Sequence, residues 1–355
     1  MDVLVVGAGL SGLTAASALS AGGLAVQVVE ARNRVGGRLH TVISDDACFD
    51  LGATWHWEDQ PRVRALAAEL GLTAFPQYQE GRTLHEDADG NPPEPVEVAP
   101  PPAAFLRFVG GTQALSERLA ERLSPGQISL ATTVTAVTDE GSHLAVDVEN
   151  EDGASSRLES PWVVMTLPPR LALESVSFAP EIPGEFLEVI EATPTWMGEA
   201  IKCVAVYDTP FWRTAGCSGS AFSDRGPLYE VHDASTHDAA VAALWGLVVP
   251  HSDFWAMDVD ERAPLVLDQL ARLFGPEAGD PAQYMERDWA ADPYTSEDGH
   301  SHSEPVPYGH PLFGQTHLGG RLVWAGTETA EEGGGHMEGA VRAGERAARL
   351  ILGTA

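Results

Sequence analysis

The first thirty residues constrain this chain more than any other stretch. "DVLVVGAGLSGLTAASALSAGGLAVQVVEAR" opens on the apolar run VLVV, short and continuous as a strand covered on both faces should be. Gly7, Gly9 and Gly12 follow in G-x-G-x-x-G spacing. Leu13, Ala16 and Leu19 recur at helical spacing until "AGG" stops the helix, and "LAVQVVE" resumes as a strand that ends on Glu30. Alone the glycine pattern is weak. Between a strand and a helix, with an acidic residue closing the next strand, it is the full dinucleotide fingerprint. Gly7 permits the tight turn, Gly9 lets backbone approach a pyrophosphate, and Gly12 brings helix and strand together. The helix N-terminus faces the anion, and Glu30 accepts from the ribose hydroxyls.

"EARNRVGGRLHT" sets a second glycine turn, Gly36–Gly37, and Arg38 directly after the acidic residue. Such a turn suits a cofactor whose body continues past the pyrophosphate, FAD rather than NAD. Glu30, Ala31, Arg32, Gly37 and Arg38 are therefore candidates for the cofactor site. The charges of Arg32 and Arg34 read as solvated surface groups; that of Arg38 does not.

Beyond this unit, "TQALSERLAERL" reads as a helix, and "ISLATTVTAVTDEGSHLAVDVEN" as a strand pair turning at "DEGS". "WVVMTLPP" is another buried strand, and "GHMEGAVRAGERAARLIL" a long C-terminal helix. Strands around Lys202 and Trp245 and an amphipathic helix at "RAPLVLDQLARLF" fill the middle. "GNPPEPVEVAPPPAAF" holds six prolines between 91 and 102 and reads as extended loop or linker. The fold class is α/β, with an α+β second domain. A discontinuous dinucleotide-binding domain (1–60, 108–172 and 290–355) carries an inserted mixed-sheet substrate domain (61–107 and 173–289).

Charge excludes some functions. With 52 acidic and 21 basic residues the net charge is -31, which rules out a general nucleic-acid binder. Cys48, Cys203 and Cys217 are scattered thiols without a C-x-x-C, as expected of a reduced cytoplasmic protein. Val3–Val29 is apolar enough to imitate a membrane span, but its glycines and strand–turn–helix pattern argue for a soluble chain with no membrane partner. His300, His302 and His310 have no carboxylate or cysteine at ligand spacing, so no metal is expected. Lys202, within "MGEAIKCVAVY", is the only lysine; the other 20 fixed cations are arginines. A lone ammonium among apolar residues calls for a partner or a function.

Taken in order, "VVGAGLSGL", "EARNRVGGR", "DLGATW", "FVGGTQAL", "WVVMTLPP", "IKCVAVYDTPFW", "RLVWAGTETA" and "GHMEGAVRAGERAA" resemble the flavin-dependent amine oxidases of the monoamine and polyamine oxidase type. The chain looks like a short, bacterial-like member. The resemblance implies a glutathione-reductase-like FAD domain. It implies that Glu30 binds the adenosine ribose, that Arg38 lies near the pyrophosphate, and that Gly52, Ala53, Thr54 and Trp55 pass close to the flavin. Val134 would hold the adenine by its backbone, and Trp289 would pack on the isoalloxazine. Gly326 and Glu328 would contact the ribityl and pyrophosphate part, and Met337 would offer its N–H to the flavin's pyrimidine edge. Lys202 would hold a water against flavin N5. The implied reaction is oxidation of an amine by hydride transfer to N5, hydrolysis of the imine, and reoxidation by O2 to give hydrogen peroxide.

Three departures limit the substrate assignment. Mammalian-type relatives attach FAD through a cysteine near "WAADPYTSEDGHSH"; this segment has none, so non-covalent FAD is expected. The same relatives cage the amine between two tyrosines, whereas the position before "MEGA" is His336, a candidate catalytic residue facing the flavin. The interval between "DLGATW" and "FVGGTQAL" is short, so the helical substrate lid is largely missing and the site is more open or completed by another subunit. Trp55, Trp57, Trp196, Trp212, Tyr229 and Trp245 are candidates to line it. Alternatives are another flavin oxidoreductase on the same fold, namely an amino-acid oxidase with Arg213 or Arg225 facing the flavin, a desaturase or a dehydrogenase, or a non-catalytic flavin-binding protein.

Overall fold

The computed structural model describes residues 1–44, 46–99, 101–295 and 308–353. Its organising element is a six-stranded sheet in the order Ile128–Ser129, Val26–Val29, Val3–Val6, Trp162–Met165, Leu322–Trp324, Thr316–His317. All neighbours are parallel except the last pair. Val3–Val6 lies inside the sheet and is buried on both faces, which is why its four residues are all apolar. On one face the helix Leu10–Ala21 is clamped between sheet and C-terminal helix Met337–Leu352, and is buried nearly all round. The two helices cross closely because Gly344 has no side chain: a Cβ there would lie 2.4 Å from the Ser11 carbonyl. The other face is covered by the hairpin Thr132–Asp139/Leu144–Asn150 and by the helix Gly184–Glu191.

A seven-stranded sheet forms the second layer system, in the order Gln283–Asp288, Ile201–Tyr207, Ala242–Val248, Leu228–Asp233, Cys217–Ser223, Arg82–Glu86, Glu94–Val96. Ile201–Tyr207 is buried throughout. Its odd positions Ile201, Cys203, Ala205 and Tyr207 pack on the helix Val259–Phe274 through Val266, Leu270 and Leu273. That helix is started by Asp258, whose carboxylate accepts from the Glu261 N–H at 3.0 Å. The even positions Val204 and Val206 pack the opposite way, against Phe49, Leu51 and Trp245. Side chains alternate along a strand, so Lys202 shares that inner face, toward the glycine-turn layer.

Several expectations change. The proline-rich stretch is not only loop: Glu94–Val96 pairs with Arg82–Glu86 and forms the sheet edge, where a missing proline N–H costs no ladder bond. Helix Pro61–Glu69, assigned by sequence to the substrate domain, packs Val63, Leu66 and Ala67 into the core beneath the parallel sheet. Val176, Ile182, Phe186 and Ile190 join the core on that sheet's other face. The amphipathic helices of the inserted layer were not separable by composition from those of the first layer.

Candidate active site

A cavity of about 500 Å3 runs between the two sheets. Both helices that flank the glycine turn begin at its wall. Gly9 precedes Leu10 and His336 precedes Met337, and neither supplies a side-chain cap. Uncapped helix starts leave backbone N–H groups for an anion. The glycine turn is tight enough that a Cβ on Gly12 would lie 2.0 Å from the Gly7 carbonyl oxygen. Glu30, buried at the end of its strand, accepts from the N–H of Ala8 at 2.7 Å and of Arg32 at 2.9 Å, fixing the turn before any ligand binds. These donors and the cradle fit a dinucleotide.

Among the expected cofactor residues, Gly7, Gly9, Glu30, Ala31, Arg32, Gly37, Arg38, Gly52, Ala53, Thr54, Trp55, Val134, Trp289 and Met337 line this one cavity. Gly12, Gly326 and Glu328 stand behind the lining. Glu328 is fully buried and forms a two-pronged pair with Arg38, at 2.6 and 3.2 Å. Trp289 donates through Nε1 to the Leu51 carbonyl at 2.8 Å, which fixes its indole at the cavity. Arg32 and Arg34 are not solvated charges. Arg32 is clamped to Asp292 at 2.6 Å and to Thr295 at 2.7 Å, and Arg34 donates to the carbonyls of Val35, Gly37 and Leu39, stapling the second glycine turn. Burial, aided by neighbouring Arg32 and Arg287, lowers the Arg34 pKa to about 10.

Lys202 reaches the cavity from the inner face of its strand and is 4% exposed. Its Nζ donates to the Gly52 carbonyl at 2.9 Å and to Thr54 Oγ1, and lies 4.4 Å from the Trp245 ring centroid. Burial lowers its pKa to about 7; the charge of Asp50 works against that, and the charge of Arg107 adds to it. Asp50 does not touch the amine. It accepts from Thr41 Oγ1 at 2.6 Å and from the Thr112 N–H at 2.9 Å. Arg107 is 6% exposed, donates to the carbonyls of Ser235 and Ala234, both at 2.8 Å, and lies 5.0 Å from the Phe75 ring centroid.

Aromatic rings wall the cavity in two groups. Trp55 stacks on Phe105 at 4.8 Å and meets Trp245 edge-on at 5.0 Å. His336 lies between Trp57, edge-on at 5.3 Å, and Trp196, tilted at 5.5 Å. Burial lowers the His336 pKa, a hydrogen-bonding carbonyl at Gly334 opposing it, so the ring is neutral at neutral pH. Trp212 and Tyr229 do not line the cavity: Trp212 is buried with its Nε1 on Asp233, and Tyr229 packs behind Trp245.

Sequence reasoning missed Glu230. Lys202 pairs with Leu247, and Leu247 pairs with Glu230, so the three form one row across adjacent strands. Lys202 and Glu230 are two strand spacings apart, about 10 Å at the backbone, and both line the cavity. His232 stands beside the carboxylate, Nε2 to Oε2 at 3.4 Å. Only strand register brings these residues together, and the linear pattern does not contain it. His310 caps a short turn through Leu312 N–H, and no metal-ligating cluster exists among the described residues. His300, His302 and the second half of the segment bearing on covalent attachment, 296–302, lie outside the described residues.

The parallel sheet, its glycine turn and a cavity ending in a second sheet define a protein that holds a dinucleotide against a substrate chamber. A family model described as flavin containing amine oxidoreductase matches residues 10–108 and 99–352, and the chain belongs to that family. It is 27% identical to the probable flavin-containing monoamine oxidase A of Dictyostelium discoideum, over 99% of this chain and 97% of the relative. It is 28% identical to the putrescine oxidase of Kocuria rosea, over 99% and 95%. Among solved structures, wild-type putrescine oxidase bound to putrescine matches with a TM-score of 0.85 and 26% identity, covering 99% of each chain. The protein is a flavin-dependent amine oxidase, with FAD as its cofactor. The alignment to the Dictyostelium relative spans 452 positions against 355 residues here, so about a hundred positions have no counterpart in this chain. No helix among the described residues is long and apolar enough to cross a membrane.

Proposed function

We propose that the enzyme oxidises the C–N bond of an amine at the Lys202 end of the cavity, and that Glu230 receives a second positive charge on the same substrate. The observation that carries this is the Lys202–Leu247–Glu230 row. Among the described lining residues the carboxylates are Glu30 and Glu230, and Glu30 is occupied at the opposite end by two backbone N–H groups. A diamine of a few carbons spans from the reacting position to Glu230. The relative named putrescine oxidase and the solved complex with putrescine support a diamine.

An amino-acid oxidase is disfavoured by charge. The lining arginines, Arg32 and Arg38, are bound to Asp292 and Glu328. Arg213 is locked on Asp233 and Arg225 lies beside Glu86, so neither offers a carboxylate partner in the cavity.

Bound without a covalent link, FAD would supply the two-electron redox chemistry, taking up the electrons of the amine's α C–H and passing them to O2. This chain's residues prepare that chemistry. The glycine turn and the start of helix Leu10–Ala21 would hold the pyrophosphate; Glu30 and Val134 would hold the adenosine; Gly52 to Trp55, Trp289 and Met337, which line the same cavity, would border the ring. Lys202 gives two N–H bonds to Gly52 and Thr54, which leaves one donor of the ammonium, or the lone pair of the amine, for a water in the cavity. His336 and Trp57 exclude bulk water from the side facing away from the lysine sheet.

Glu230→Gln tests the assignment. A charge-assisted hydrogen bond lost at a part-buried site corresponds to about a 10- to 100-fold rise in KM for 1,4-diaminobutane. Butylamine, with no second charge, should change by less than about twofold. Equal effects on both amines would remove Glu230 from the substrate site.

A further inference from the structure

Trp196 combines two properties: it lines the cavity and it is 44% exposed. It is therefore a partition between cavity and solvent. Its backbone is pinned by hydrogen bonds, and its ring is held by packing. Arg38 Nη1 donates to the Trp196 carbonyl at 3.1 Å, Trp255 Nε1 to the Glu199 carbonyl at 3.0 Å, and the Trp289 N–H to the Ala200 carbonyl at 2.9 Å. Met197 turns the chain through the left-handed region, with φ 57°. The indole lies over Gly335, where a Cβ would come within 2.9 Å of Trp196 Cγ, and tilts against His336. The family match breaks into two pieces that meet at 99–108, and the chain lacks about a hundred positions of its relative. One indole supplies cover at the cavity's His336 side.

We propose that Trp196 is a specificity-determining residue that limits the size of the group on the reacting nitrogen, admitting primary amines and excluding bulky N-substituents. The inference rests on the amine-oxidising function proposed above. A substrate whose far end lies at Glu230 and whose reacting end lies near Lys202 points its nitrogen substituent away from the lysine sheet. The wall on that side is His336, Trp57 and Trp196. Of the three, Trp196 alone has solvent behind a large part of its ring, with the other two side chains more enclosed. Truncating Trp196, the most exposed of the three, opens the cavity to solvent most directly.

The test compares wild type, Trp196→Ala and Trp196→Phe as purified holoenzymes, with butylamine and its N-tert-butyl derivative, and with 1,4-diaminobutane and its N,N′-di-tert-butyl derivative, in which either reacting nitrogen carries the bulky group. The tert-butyl carbon has no hydrogen, so oxidation stays on the chain side. Trp196→Ala should raise the kcat/KM ratio of N-tert-butyl to parent amine about tenfold or more, the equivalent of one well-placed steric contact. Trp196→Phe should keep the wild-type ratio. Independently of turnover, iodide should quench bound-FAD emission more strongly in Trp196→Ala than in the other two. An unchanged ratio, or a Phe variant that behaves as the Ala variant, overturns the role of Trp196 while leaving the amine reaction intact. Failure of all four amines to reduce the flavin in every variant overturns the amine reaction itself, and this inference with it.

Discussion

Lys202 is held as an amine near neutrality by burial, and that has a cost that pH can read. Its folded-state pKa of about 7 lies below the ordinary 10.5. Between those values the unfolded chain binds more protons than the folded one, so stability rises with pH across that window. Below about pH 7 both states carry the charge and the full penalty remains. Lys202→Met should therefore be more stable than wild type at pH 7, with the gap in urea midpoint narrowing as pH rises toward 10. A gap constant with pH would mean the lysine is fully charged or solvated. The same variant should slow reoxidation of the reduced enzyme in stopped-flow by about 100-fold, the usual scale for losing one placed donor, while retaining FAD. Unchanged reoxidation would confine Lys202 to a packing role.

At the scale of elements, one close glycine contact does what side chains elsewhere do. Gly12 sits where a Cβ would lie 2.0 Å from a backbone oxygen that cannot retreat, because Gly7 is itself bound to the sheet through its N–H and the Val29 carbonyl. Gly12→Ala should cost about 1–3 kcal/mol of local overpacking and weaken FAD about 10- to 100-fold, measured by titrating apoprotein with FAD. Tight binding in that variant would show that the turn relaxes. This element was legible in sequence because its signals are local: a run of four apolar residues, glycine spacing, and helical recurrence of Leu13, Ala16 and Leu19. The Pro-rich edge strand was not legible, because Glu94–Val96 owes its conformation to pairing with Arg82–Glu86 rather than to its own residues. Arg32 and Arg34 misled for a related reason. Arg32's partners Asp292 and Thr295 arrive from some 260 residues away, and Arg34's carbonyls come from a turn whose closure the sequence does not display.

At the scale of the molecule, the cavity forms only where two sheets meet, and its chemistry divides between them. The parallel sheet brings the glycine turn and the uncapped start of Leu10–Ala21 within short sequence reach, which is why that part of the site could be read locally, whereas Val134, Trp289 and Met337 came from the family resemblance. The second sheet brings Lys202 and Glu230 into one row through register, and only the lysine announced itself, by being alone. The most direct measurement is anaerobic mixing of the purified yellow protein with 1,4-diaminobutane. The flavin bands should bleach, then return on admitting O2 with one hydrogen peroxide per flavin. If neither the diamine nor butylamine bleaches a flavin that dithionite reduces normally, amine oxidation in this cavity is contradicted.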